Sequence, residues 1–417
     1  MTERLLQYIW QFQYFSKPGL ATTTGEMINI LHPGQYNTNQ GPDFLNARIQ
    51  IGNKTWAGHV ELHLASSGWI KHKHDKDKNY RNVILHVVWE NDMPEDKMPV
   101  LELEGRVPYV LLNRYKEMMR SAGHIPCGKN VSTANALTLK SWKDRLVAER
   151  LMQKAGTVRQ YLEQNRYHWE ETCWWLLARN FGMKVNAAAF EAIARTIPLT
   201  VLARNKSQLH HLEALLLGQA GLLNGTFTDE YALQLQKEYK YQQQKYQLTP
   251  CNEPVYFLRM RPGSFPTVRL AQLAMLISHS GQLFTNIKEA KSVKEIRNWL
   301  DVTASEYWHY HFRFDAASSF KKKILGATMI SNIIINTVAP LLFAFGEYQQ
   351  EEKYKEWAIR WLEETPAEIN TITRRYMALG MENKNAFDSQ AIIELSNQYC
   401  SGRRCLECAV GYELLRG

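Results

Sequence analysis

The chain has 417 residues, 45% of them hydrophobic and 22% charged, the balance of a folded protein longer than one ordinary core. Its formal charge of +9 favours an anionic partner, and nucleic acid is the partner expected. No run of about 18 apolar residues occurs, and Met1-Thr2-Glu3-Arg4 lacks the basic-then-apolar order of an export leader; the expectation is a cytoplasmic protein without a membrane span.

Residues 3–15 read as a helix with an aromatic face, stopped by Pro18-Gly19. Strand signals follow at 26–32, 43–51, 55–64, 83–90 and 99–104, with a loop and a short helix within 65–82. From about Leu111 helical periodicity dominates, in segments such as 138–164, 228–247, 267–279, 289–300, 319–345, 351–363 and 388–399. The 228–247 segment, rich in Gln, Tyr and Lys, reads as a solvated helix face. Met329–Phe345 reads as a buried helix ending at Pro340. The fold class expected is α+β: a mixed-sheet domain over about 1–125, then a mostly helical domain over about 126–417 that ends in a cysteine cluster.

Two strands in the first domain carry the chemistry. Asp43 starts one, Glu61-Leu62-His63 ends the next, and a Gly52-Asn53 turn signal lies between them. Residues two apart in a strand share a face, so Glu61 and His63 point the same way. A three-residue loop sets Asp43 on that face. A two-residue loop sets it on the other, unless a bulge corrects the register. Two carboxylates on one face repel unless a cation or a proton lies between them. Hard oxygen ligands suit Mg²⁺ or Mn²⁺, so Asp43 and Glu61 are the expected ligands of such an ion. His63 is either a neutral base that orients water or itself a ligand, and a histidine ligand shifts the preference toward transition metals.

His72, His74, Asp75 and Asp77 follow, and His86 lies inside the apolar strand Val83–Trp89. His74 and Asp77 are expected to line the same cleft as neighbours of the catalytic set Asp43, Glu61 and His63. The competing reading of 71–78 is a solvated basic turn, and that of His86 a satisfied core histidine. Lys71, Lys73, Lys76, Arg259 and Arg261 are the candidate phosphate contacts. Cys400, Cys405 and Cys408 form a C-x4-C-x2-C run, read as zinc or iron–sulfur ligands with Cys127, Cys251 or a histidine completing the set; the competing reading is packed thiols.

An acid on one strand followed by Glu-x-Lys on the next is the signature of the PD-(D/E)XK nuclease superfamily, which Asp43 and Glu61-x-His63 resemble, with His63 in place of the lysine. The order helix, three strands, helix, two strands is similar to that superfamily's core. The resemblance implies a further acid from the region of the first helix, for which Glu26 is the candidate. The runs Asn39–Phe44, Trp56–His63, Trp69, His72-Lys73-His74, Tyr80–Val88 and the terminal cysteines resemble a bacterial family known only as a domain of unknown function, DUF2851. Together these resemblances imply metal-dependent hydrolysis of phosphodiester bonds in DNA or RNA. The alternatives are a non-catalytic nucleic-acid-binding scaffold on a degenerate nuclease fold, and a metal-dependent hydrolase of a small phosphorylated substrate.

Overall fold

The computed structural model of the chain describes residues 1–93, 98–128, 130–258, 260–280 and 282–416. The protein is mixed α+β and divides into two units, residues 1–142 with 396–417, and residues 143–395. This differs from the boundary expected near residue 125: the segment carrying Cys400, Cys405 and Cys408 belongs with the sheet. Tertiary ties explain it. Cys405 and Leu415 join the core of the first unit, the Tyr14 and Tyr412 hydroxyls meet at 2.7 Å, and Arg4 pairs with Glu407.

Helix α1 (Glu3–Phe12) starts where the Thr2 side chain accepts the Leu5 N–H, and stops where Gln13 turns left-handed at φ 54°, ahead of the expected Pro18-Gly19 stop. It buries Leu5, Leu6, Ile9 and Trp10, each contributing roughly 1.5–3 kcal/mol. Strands β1 (Ile28–His32), β2 (Gln35–Tyr36), β3 (Phe44–Ile51) and β4 (Lys54–Ala65) follow, then helix α2 (Gly68–Lys71), strands β5 (Val83–Glu90) and β6 (Val100–Glu102), and helix α3 (Tyr109–Arg120). The sheet order is β1-β3-β4-β5-β6, with β2 paired to β3. β1, β3 and β4 are antiparallel, whereas β5 runs parallel to β4 and β6 parallel to β5.

A parallel join needs a crossover. Here α2 and the short turns His74–Lys76 and Lys78–Tyr80 provide it, and that connection carries His72, His74 and Tyr80 to the end of β4. Close backbone approach fixes where β5 begins. A Cβ on Gly58 would lie 2.4 Å from Ile84 Cγ2 and 2.5 Å from the Asn82 carbonyl oxygen.

The second unit is mostly helical, with three departures from the periodicity. The expected 289–300 helix starts only at Val293, where Ser292 caps it by accepting the Glu295 N–H, and a separate helix, Leu283–Glu289, precedes it. The expected 319–345 helix begins only at Ala327, after a small hairpin of His311–Arg313 and Ala316–Ala317. Nor does that helix end at Pro340. Residues Ile334–Val338 form a π-turn and the helix continues to Gln349; the wider turn shifts the hydrogen-bond pattern just ahead of a residue with no N–H to give. The stretch Ala327–Gln349 is long and apolar enough to cross a membrane by length and composition, and 78% of its apolar window is buried inside the protein.

Candidate functional site

The hairpin loop is the two-residue Gly52-Asn53, with Ile51 opposite Lys54. That register alone sends Asp43 to the wrong face. A bulge between Phe44 and Ala47 corrects it: Asn46 adopts φ 58°, and Phe44 comes opposite Val60. Asp43 is thereby set against Glu61, and its backbone N–H donates to Glu61 Oε2 at 3.0 Å. The Asp43 carboxyl is held from both sides. Oδ2 accepts the Leu62 N–H at 3.0 Å, and Oδ1 accepts Gln7 Nε2 at 2.8 Å.

Imidazoles surround the other oxygen of Glu61. His63 Nε2 lies 3.7 Å and His74 Nε2 3.4 Å from Oε1. His63 Nε2 also meets His72 Nδ1 at 3.1 Å, and His63 Nδ1 meets His86 Nε2 at 2.9 Å. Tyr80 stacks on His74 with ring centroids 3.8 Å apart, and Trp69 sets its ring against His74 and His86. Among the described residues, one group of His, Cys, Asp or Glu has ligand atoms all within 4.8 Å of one another: His63, His72 and His74.

Burial dominates the electrostatics. It pushes the Glu61 carboxyl up to about 9, with the Asp43 and Glu3 charges adding to the shift. It pushes Asp43 up to about 7, reinforced by Glu3. Burial and neighbouring imidazoles bring His63 down to about 3, burial and His74 bring His86 down to about 4, and burial and His72 lower His74. Neutral His63 and His74 therefore face a Glu61 carboxyl that holds its proton, with neutral His86 behind His63, a pocket that lacks positive charge.

Three site residues were not among the sequence candidates. Glu3 and Gln7, one helical turn apart on α1, face the acids. The Glu3 charge reaches both carboxyls, and Gln7 holds Asp43. Glu26, the candidate for the acid from the first helix region, sits elsewhere. Its Oε1 is the nearest atom to a Cβ placed on Gly52, at the hairpin tip and the far end of β3 from Asp43. Tyr80 is the third. Burial raises its hydroxyl to about 12, and the charges of Glu61, Asp43 and Asp77 act in the same direction. The i, i+4 spacing of Glu3 and Gln7, which places both on one face of α1, is a sequence signal that could have found them.

The remaining candidates separate. Asp77 caps the turn Lys78–Tyr80 by accepting the Asn79 N–H, and acts on His74 through its charge. Lys71, Lys73 and Lys76 are exposed on the crossover beside the histidines. Arg261 is exposed in the second unit, and Arg259 lies outside the described residues. Among the cysteines, Cys127, Cys405 and Cys408 act on one another through their charges. Burial pushes Cys405 up to about 12, with Cys127 and Cys408 adding, and pushes Cys127 up to about 11, with Cys408 adding. Burial also raises Cys408, opposed by hydrogen bonds from the Gly411 and Val410 N–H groups and from Trp142. Cys400 is buried in the same unit, whereas Cys251 belongs to the second.

Fold and site define a mixed α+β protein with a carboxyl–imidazole cluster at one end of a mixed sheet. The chain belongs to the family described as "Protein of unknown function (DUF2851)", which matches residues 3–371 and so ends before the terminal cysteines. No curated protein and no solved structure matches the chain.

Proposed function

We propose that this protein is a metal-dependent hydrolase of phosphodiester bonds in nucleic acid, acting at Asp43, Glu61 and the histidines around them. The observation that supports this best is the bulge-corrected register, which brings Asp43 and Glu61 together on one face with His63 and His74 beside them. A helix, an antiparallel three-strand meander, a helical crossover and a parallel strand form the order of the PD-(D/E)XK core, with Glu3 as the acid from the helix. Exposed Lys71, Lys73 and Lys76 give phosphate an approach to the cluster.

A bound divalent ion would supply charge neutralisation at the phosphoryl oxygen and a water of lowered pKa. The chain's own groups supply the rest. The His63 imidazole is neutral, brought down to about 3 by burial and its neighbouring imidazoles, so its Nε2 lone pair can hold an ion or orient a water rather than carry a proton. The Tyr80 hydroxyl stays protonated at neutral pH and can donate to a phosphate oxygen.

The test is cleavage of labelled single- and double-stranded DNA and RNA across a panel of divalent ions. Asp43→Asn and Glu61→Gln are expected to abolish cleavage while leaving the melting transition in place. Absence of cleavage on every polymer with every ion, together with turnover of a small phosphodiester, would move the reading to a small phosphorylated substrate.

A further inference from the structure

We propose that the ion of this site is an imidazole-preferring transition ion, of the Zn²⁺ or Fe²⁺ kind, held by Glu61, His63, His72 and His74. The inference deepens the hydrolase reading and rests on it for the ion's role. It departs from the hard-ion expectation because the inward-facing donor atoms are mostly nitrogen.

Distances favour it first. An ion bound tetrahedrally at about 2.0–2.1 Å separates its ligand atoms by roughly 3.3 Å. The separations here are 3.1 Å for His63 Nε2 to His72 Nδ1, 3.4 Å for His74 Nε2 to Glu61 Oε1, and 3.7 Å for His63 Nε2 to Glu61 Oε1. All three histidine ligand atoms fall within 4.8 Å of one another.

The donor set comes next. Mg²⁺ takes oxygen in a strict octahedron and gives up water reluctantly. Both Asp43 oxygens already accept hydrogen bonds, from Gln7 and from the Leu62 N–H. Glu61 Oε2 accepts the Asp43 N–H, which leaves Oε1 turned toward the imidazoles. Asp43 is on this view a positioning residue for Glu61, and the inward-facing donors are one oxygen and three nitrogens.

A third observation is an orphan atom. His74 Nε2 is buried and makes no hydrogen bond, although it faces Glu61 Oε1 at 3.4 Å. A buried polar atom without a partner carries a free-energy cost that an ion at that point removes. The protonation pattern is compatible. His63 Nδ1–H donating to His86 Nε2 leaves a lone pair on His63 Nε2 facing the cluster. Without an ion, His72 Nδ1–H satisfies that lone pair. With one, the His72 proton shifts to Nε2, and His72 is exposed.

The test uses the full chain, stripped with a chelator and titrated with Co²⁺, then challenged with Zn²⁺ or Mg²⁺. The expected result is one equivalent of Co²⁺ with a visible d–d band, displaced by Zn²⁺ and untouched by Mg²⁺ in large excess. His72→Ala, at an exposed position that leaves the core intact, should weaken Co²⁺ binding at least roughly 10–100-fold, the range seen for losses even outside the direct ligands. His74→Gln should do the same and is the second variant. Displacement of Co²⁺ by Mg²⁺, or wild-type Co²⁺ binding by both variants, overturns the assignment. Co²⁺ bound through these histidines without cleavage of any polymer keeps the assignment and overturns the hydrolase reading. Mg²⁺-supported cleavage untouched by His72→Ala does the reverse.

Discussion

In the helical unit, Glu394 is fully buried, with Arg150 Nη1 3.3 Å away and Gln153 Nε2 donating at 2.6 Å. Glu213, also fully buried there, accepts from Tyr231 at 2.5 Å, Ser305 at 2.7 Å and Trp308 at 3.1 Å. Glu61 in the sheet unit is 5% exposed, and among the described residues its donor is the Asp43 N–H. Its other oxygen faces imidazoles that burial keeps neutral. A buried acid supplied with donors or a cation stabilises its surroundings, whereas one left short of positive charge is a place where a cation binds. The same residue type is thus fully supplied with donors in one unit and left facing neutral imidazoles in the other.

The sharpest way to break that comparison is to change one acid in each unit. Glu61→Gln is expected to reduce cleavage and ion binding to background with an unchanged melting temperature. The amide replaces a carboxyl that burial pushes to about 9 and that is therefore already uncharged at pH 7. Glu394→Ala removes the carboxylate beside Arg150 and leaves it the Gln390 amide oxygen; it should cost about 3 kcal/mol in urea unfolding and spare the activity per folded molecule. Equal destabilisation by both substitutions would show that Glu61 is structural too.

Gly68→Ala is expected to act next most strongly. A Cβ there would sit 2.8 Å from the His63 ring, so the imidazole must move. Co²⁺ affinity should fall by about 10–100-fold, the cost of disturbing a ligand's orientation. Unaltered affinity would mean that His63 is not held against the ion.

Lys73→Ala with Lys76→Ala is a smaller change. Affinity for duplex DNA should fall at every sequence tested, and each lost phosphate contact should flatten the salt dependence by about 0.9 in slope. A slope equal to the parent's would place the backbone contacts elsewhere.

The last contrast concerns the thiols, where no substitution is made. With Cys405 pushed up to about 12 and Cys127 up to about 11, both are thiols rather than thiolates at pH 8. Alkylation of the native protein at Cys405 should be slower by roughly the deficit in thiolate, on the order of 10³-fold against an ordinary cysteine. The rate should rise about tenfold per pH unit until unfolding intervenes. Rapid labelling of Cys405 at pH 8 would show a thiolate-stabilising environment there instead.

Much of this arrangement was legible in the sequence. Alternating strands, the Gly52-Asn53 turn, and acids at the outer ends of the hairpin are local features, written in side-chain period and turn chemistry. They led to Asp43, Glu61 and His63, to the nearby His72 and His74, and to a mostly helical second part. Helix ends were less legible, because a left-handed Gln13, a Ser292 cap and a π-turn before Pro340 are set by backbone geometry that many residues tolerate.

What the tertiary structure alone decided is which distant groups meet. The bulge at Asn46 turns Asp43 onto the face of Glu61, and one residue of register separates a shared site from two acids on opposite faces. The crossover after β4 folds His72, His74 and Tyr80 over that face, and α1 adds Glu3 and Gln7 from the start of the chain. Residues 396–417 return to the sheet unit and bring Cys405 and Cys408 to Cys127. Contacts between such distant segments are selected by the burial of a common core, and no local period in the chain records them.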